Sequence, residues 1–173
     1  MYASLTLLTT FCPQNTPPLG AQDDGSSFYH DHHNFEIYGG PKSDFNGHAK
    51  QSANNIQAYA NVYGSKCVGI SDLPHAAPND FFAEGYTGNK CVLSTASGSY
   101  LQMGSCAPDA TLPNRMLLGN NTVYTPDGNA MVSCGKSYTF AEWAALGFDA
   151  GTTVQTLPTT PEIIGWAREL FNM

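Results

Sequence analysis

Two short stretches of this chain return almost unchanged further along, and that repetition limits the folds open to it. Gly64-Ser65-Lys66-Cys67-Val68 recurs as Gly88-Asn89-Lys90-Cys91-Val92, a shift of 24. Upstream, Asn34-Phe35-Glu36-Ile37-Tyr38 recurs as Asn55-Ile56-Gln57-Ala58-Tyr59, a shift of 21. In the second pair the apolar residues alternate, Phe35 with Ile37 and Ile56 with Ala58, which is strand spacing. Further strand-like runs are Tyr100 to Met103, Thr122 to Thr125 and Met131 to Cys134, with Gly, Asn, Pro and Asp in the gaps. Short strands at a repeat of roughly 20 to 25 residues predict a solenoid, each turn of chain stacked on the last. An antiparallel sandwich with chance similarities is the plainer alternative.

Composition agrees with a folded, turn-rich domain. The 173 residues are 42% apolar and only 12% charged, about half the roughly 25% charge of ordinary globular domains. Lys+Arg 7 against Asp+Glu 14 gives a formal charge of −7, which does not suit a nucleic-acid surface. No apolar run reaches the length of a membrane span.

The front of the chain is irregular. Leu5 to Leu8 is a short apolar stretch with neither a basic flank nor a small-residue cleavage site, so it is not a convincing signal peptide. Residues 1–27 read as a lead-in, with upstream coils expected to be missing. The five cysteines form no CxxC pair, and they point to an exported protein. Leaving Cys12 aside, the other four allow three pairings. Coils stacked about 4.8 Å apart would bring residues at the same place in the repeat within disulfide reach. That favours Cys67 with Cys91, one coil apart, and Cys106 with Cys134. Asn120-Asn121-Thr122 is an N-glycosylation acceptor if the chain is exported.

The C-terminal third carries helix signals. Thr139-Phe140-Ala141-Glu142 has the pattern of a capping box, with a short helix through Leu146 stopped by Gly147. Thr160-Pro161-Glu162 opens a second helix whose Ile163, Trp166, Ala167, Leu170 and Phe171 share one apolar side. Residues 159–173 are expected to cover the open end of the last coil, and residues 28–158 to form the coils themselves.

Asn120 to Tyr124, Thr139 to Trp143 and Gly147 to Thr152, with His32 to Phe35 and Asn54-Asn55-Ile56, resemble the last coils and Asn-rich turns of secreted right-handed parallel β-helix proteins, the pectate-lyase-like superfamily. The resemblance implies an all-β chain of about five or six coils with a short C-terminal helical cap. It also implies a carbohydrate-associated role, the binding or processing of an extracellular polysaccharide. That superfamily includes lyases, glycoside hydrolases and non-catalytic surface proteins, so the fold does not settle the chemistry. A typical pectate lyase uses an arginine base and bound calcium. Here the only arginines are Arg115 and Arg168, and the lyase motifs are absent.

His30-Asp31-His32-His33, with Asp44 and His48 nearby, is the richest chemical cluster. His33, Asp31, Asp44 and His48 are the candidate catalytic residues, as acid/base groups near neutral pH. A polar coil turn with solvated imidazoles is the plainer reading, and no standard metal spacing is matched; neither metal nor cofactor is expected. Tyr59, Tyr63, Tyr86 and Tyr100 recur along the repeats and are the candidate sugar-stacking residues. Phe35, Trp143 and Trp166 are assigned to the core, and residues 74–82 to a lateral binding loop. The competing function is a structural or adhesive solenoid of a cell surface or matrix.

Overall fold

The structure, a computed structural model, describes residues 21–22, 27–40, 42–43, 49–60, 66–70, 84–104, 106–110 and 112–173. Asp44, His48, Tyr63, Cys12 and the expected loop at 74–82 lie outside them. The chain makes repeated passes of three strands. The first pass is β1 (Ala21–Gln22), β2 (His30–His32) and β3 (Phe35–Ile37). The second is β4 (Lys42–Ser43), β5 (Gln51–Ala53) and β6 (Ile56–Ala58). The third is β7 (Lys66–Ile70), β8 (Glu84–Thr87) and β9 (Lys90–Val92). The fourth is β10 (Gly98–Met103), α1 (Leu112–Arg115), β11 (Met116–Gly119) and β12 (Thr122–Thr125). There follow β13 (Ala130–Cys134), β14 (Lys136–Thr139), α2 (Phe140–Ala145), β15 (Thr153–Thr156) and α3 (Thr160–Leu170).

Strands three apart in this order pair side by side and parallel. The first sheet runs β1-β4-β7-β10-β13, the second β2-β5-β8-β11, and the third β3-β6-β9-β12-β15. The protein is therefore mostly β with parallel sheets, an arrangement consistent with a solenoid-like fold. The register is strict where the turns are short. In the third sheet Phe35 pairs with Ile56, Ile56 with Lys90, Lys90 with Thr122, and Thr122 with Thr153. Equivalent residues in that row are thus 21, 34, 32 and 31 apart, so the repeat length varies along the chain.

All three sheets contribute to one buried cluster, including Cys67 and Leu101 from the first, Tyr86 and Met116 from the second, and Cys91 and Val123 from the third. Two disulfides lie in or beside it. Cys106–Cys134 links the chain just beyond β10 to the end of β13, whose Cys134 is in register with Met103. Cys67–Cys91 differs from its expected geometry. Cys67 is on β7 and Cys91 on β9, in different sheets of the same pass, with Cα atoms 5.8 Å apart. The 24-residue repeat thus relates two sides of one pass. The residues stacked on Cys91 are Gln57 and Val123.

Which strand face turns inward also departs from the expectation. Glu36, Gln57, Cys91, Val123 and Val154 form one row of the third sheet, and the first four are buried. Phe35 and Ile37 therefore face away from that row. They are covered by α3, whose Ile163 packs with Ala58, Val92 and Tyr124. The final helix thus lies along the outside of the third sheet, where it was expected across the end of the stack. At the end of the first sheet β14 turns back antiparallel on β13, and α2 follows it. From α2 the fully buried Trp143 enters the core and stacks on Phe148 with centroids 4.7 Å apart. Trp166, on α3, is only half-buried.

Both longer helices start with reciprocal capping. Thr139 and Glu142 cap α2 as the pattern indicates, and Thr159 with Glu162 repeats the arrangement at α3. Among the described residues no helix is long and apolar enough to cross a membrane. The two disulfides point to an oxidising, extracellular environment.

Candidate functional site

The short turn that leads into each strand of the third sheet is repeated along the stack, and it organises the residues that sequence reasoning singled out. His33, Asn54, Gly88, Asn120 and Gly151 each occupy that turn with φ of 56°, 55°, 68°, 56° and 77°. This left-handed conformation is easiest for Gly, and Asn and His are among the other residues that adopt it most often. The stack alternates for a steric reason. A Cβ at Gly88 would lie 2.4 Å from Asn54 Oδ1, and one at Gly151 would lie 2.2 Å from Asn120 Oδ1. Each Asn amide covers the glycine of the next pass.

The residue after each turn forms a ladder. The backbone N–H of Asn34 donates to Asn55 Oδ1, that of Asn55 to Asn89 Oδ1, and that of Asn89 to Asn121 Oδ1, each at 2.8 Å. Asn121 N–H then donates to Thr152 Oγ1 at 3.0 Å. The amide nitrogens of Asn55, Asn89 and Asn121 donate to the carbonyls of Asp31, Ser52 and Tyr86. Asn55, Asn89 and Asn121 are each about 1% exposed, so the ladder satisfies backbone groups that have no access to water.

The histidine cluster is part of the first turn. His30 and His32 share a face of β2, with ring centroids 4.4 Å apart, and His32 Nδ1 lies 2.8 Å from His33 Nδ1. Asp31 belongs to the opposite face, in a row with Ser52 and Tyr86. Its carboxylate accepts from Asn34 Nδ2. Burial raises the Asp31 carboxyl above its ordinary range, against the opposing effects of the Asn34 hydrogen bond, His32 and His30. So Asp31 and His33, expected to act together, point to different sides of the strand. The described residues contain no group of His, Cys, Asp and Glu arranged to hold a metal.

The tyrosines divide. Tyr86 and Tyr100 are buried in the core at 1% and 0% exposure and cannot stack on a ligand outside it. Tyr86 donates to Gln57 Oε1 at 2.6 Å, and the Tyr100 hydroxyl accepts from Asn121 Nδ2 at 2.8 Å. Tyr59 is half-buried and stacks with exposed Tyr38, centroids 5.8 Å apart and rings 25° from parallel. Asn120 is exposed.

Beside this row of turns, α3 leaves an open groove of about 330 Å³. His33, Asn54, Gly88 and Lys90 form one wall, and Trp166 and Glu169 the other. Lys90 Nζ stands 4.5 Å from the Trp166 ring centroid, a cation–π arrangement. Tyr124 supports the same ring at 5.2 Å. The groove therefore combines an indole surface with an amide, an ammonium, an imidazole and a single carboxylate. Trp166, Lys90 and Glu169 were not foreseen as site residues. They meet only because α3 folds back over the third sheet, and no local sequence signal carries that.

The other carboxyls have structural partners. Glu84 pairs with Lys50 at 2.8 Å, both almost fully buried. Glu36 lies beside Gln57, and burial, reinforced by Asp31, pushes its carboxyl up to about 8 against the smaller, opposing effect of the neighbouring Gln57 amide. Asp149 sits at the end of the ladder, bonded to the Thr152 hydroxyl and raised mainly by burial. Asp127 accepts from Ser97 and Asn129, led by the Ser97 backbone N–H, which holds its carboxyl well below the usual range. No protein family, curated protein or solved structure matches the chain.

Proposed function

We propose that this chain is a right-handed parallel β-helix from a secreted protein, and that it binds an extracellular polysaccharide in the groove between the turn row and α3. The order of the sheets supports the fold, since parallel crossovers are right-handed in almost all proteins. The two disulfides support export. The groove carries the functional reading: the half-buried Trp166 indole, held by the Lys90 ammonium and the Tyr124 ring, gives an apolar contact, and Lys90, Asn54 and Glu169 give the polar partners that a sugar ring requires. Binding is favoured over cleavage because Glu169 is the sole carboxylate among the groove's described lining residues, and glycoside hydrolysis ordinarily requires two. Exposed Asn120 is the proposed N-glycosylation site.

A glycan array tests this. The wild-type protein is expected to retain at least one polysaccharide, and Lys90→Met at the half-buried contact with Trp166 and Glu169→Gln on the exposed helix surface should each weaken retention several-fold. A folded sample that retains no glycan would favour the competing reading, a structural or adhesive stack. The commitment of Glu36, Glu84, Asp127 and Asp149 to internal contacts supports that second reading.

A further inference from the structure

On the other side of α3 the helix and the third sheet do not close completely. A cleft of about 270 Å³ remains between Ile163, Ala167 and Phe171 of the helix and Phe35, Ile37 and Ala58 of β3 and β6. Its lining is apolar apart from the rim. The helix contribution is one stripe, Thr160, Ile163, Ile164, Ala167, Arg168 and Phe171, at i, i+3, i+4, i+7, i+8 and i+11. Eleven residues of helix rise about 16 Å, which is the length along which the stripe runs. Arg168 carries the one charged side chain among its described lining, which Met173 also borders. It is exposed, and no carboxylate among the described residues forms an ion pair with it.

We infer that this cleft binds an unbranched alkyl carboxylate, with the chain along the apolar stripe and the carboxylate on the Arg168 guanidinium. The stripe of apolar side chains along the helix offers contacts to successive methylenes of an extended chain. The solitary cation selects an anionic head over a neutral or cationic one, because a guanidinium binds a carboxylate through two parallel charge-assisted hydrogen bonds. The site is separate from the proposed glycan groove, which uses Trp166 and Glu169 on the other flank of the helix.

Calorimetric titration of the full chain with octanoate, decanoate and dodecanoate, below their micellar concentrations, tests the inference. Affinity should rise about fourfold for each added methylene until the cleft is full. Dodecanol and dodecyltrimethylammonium should bind at least tenfold more weakly than dodecanoate. Arg168→Gln should lose that preference while leaving dodecanol unchanged. Ala167→Phe should fill the cleft and abolish binding. If it does not fold, Ile164→Glu at the exposed rim carries the same test by repelling the carboxylate. Three results would overturn the inference: no binding at any chain length, equal binding of dodecanoate and the ammonium amphiphile, or binding unaffected by the filling or rim variant. A concentration-dependent dimer lost on filling the cleft would assign it instead to a second copy of the chain.

Discussion

Cys67 and Cys91 are bonded across the interior of a single pass of the chain, tying the first sheet to the third at a sequence separation of 24. Cross-linking a loop of that length stabilises by about 3 kcal/mol in the chain-entropy account. The Cys67→Ala/Cys91→Ala double variant should lose roughly that much in urea denaturation. Peptide mapping without reductant should recover Cys67–Cys91 and Cys106–Cys134 as separate species. A Cys91–Cys106 link would contradict the assigned register.

The Asn ladder should be most sensitive at its centre. Asn89→Ala leaves the buried N–H of Asn55 without its acceptor and the Ser52 carbonyl without a donor. The expected cost is about 2–3 kcal/mol, the penalty for stranding buried polar groups. Asn34→Ala, at the partly exposed end, should cost clearly less. Equal losses in paired denaturation curves would show that the ladder does not act as a buried network.

Glu36 should make stability fall as pH rises. Its carboxyl stays protonated up to about pH 8 in the folded protein but ionises near 4.5 when unfolded. Between those values the native state holds a proton that the unfolded state has lost, so Glu36 lowers stability by up to roughly 1.4 kcal/mol for each unit of rising pH. Below about 4.5 its contribution is complete, and above about 8 the loss levels off. Glu36→Gln keeps the shape and removes the ionisation. The difference in unfolding free energy between variant and wild type should therefore grow from pH 5 to pH 8, and a pH-independent difference would refute the assignment.

The turn residue at position 33 should respond to backbone conformation rather than to imidazole chemistry. At φ 56° a glycine is relaxed and a β-branched residue is strained. His33→Gly should hold or raise the melting temperature, and His33→Val should lower stability by about 1 kcal/mol or more. Gly88→Ala should be worse tolerated than His33→Ala, because its new methyl also meets the Asn54 amide. Thermal unfolding of the four variants gives the order.

The two tryptophans should separate the end of the stack from its flank. Trp143→Ala empties a fully buried site beside Phe148 and Tyr138 and should cost about 3–5 kcal/mol. Removing residues 159–173 instead uncovers Phe35, Ile37 and Tyr124 on the outside of the third sheet. The truncated protein should aggregate on chromatography yet keep a cooperative transition with Trp143 buried, read by its fluorescence. A monomeric truncation with an unchanged melting temperature would show that α3 is dispensable to the sheet.

What the sequence determined by itself is local. Thr139 and Glu142 declare a helix start because a capping box closes within four residues. The strands at 122–125 and 131–134 are legible from alternation and flanking turn residues, and Asn34 with Asn55 marks two rungs of the ladder. The tertiary structure decided the rest, because long-range contacts decided it. Alternation at Phe35, Glu36 and Ile37 separates two faces but does not say which one is inside. Glu36 turns inward because α3 supplies an apolar cover for Phe35 and Ile37, and the Gln57 amide and Tyr86 hydroxyl bring polar company to the interior. The same fold-back of α3 brings Trp166 to Lys90, 76 positions away in the chain, and so creates the groove. Unequal passes, 21 residues and then 34, hid the true repeat and made a 24-residue similarity look like stacking when it joins two walls of one pass. Inter-strand hydrogen bonds hold register only through the strands and short turns, so the intervening segments can vary in length without disturbing the ladder.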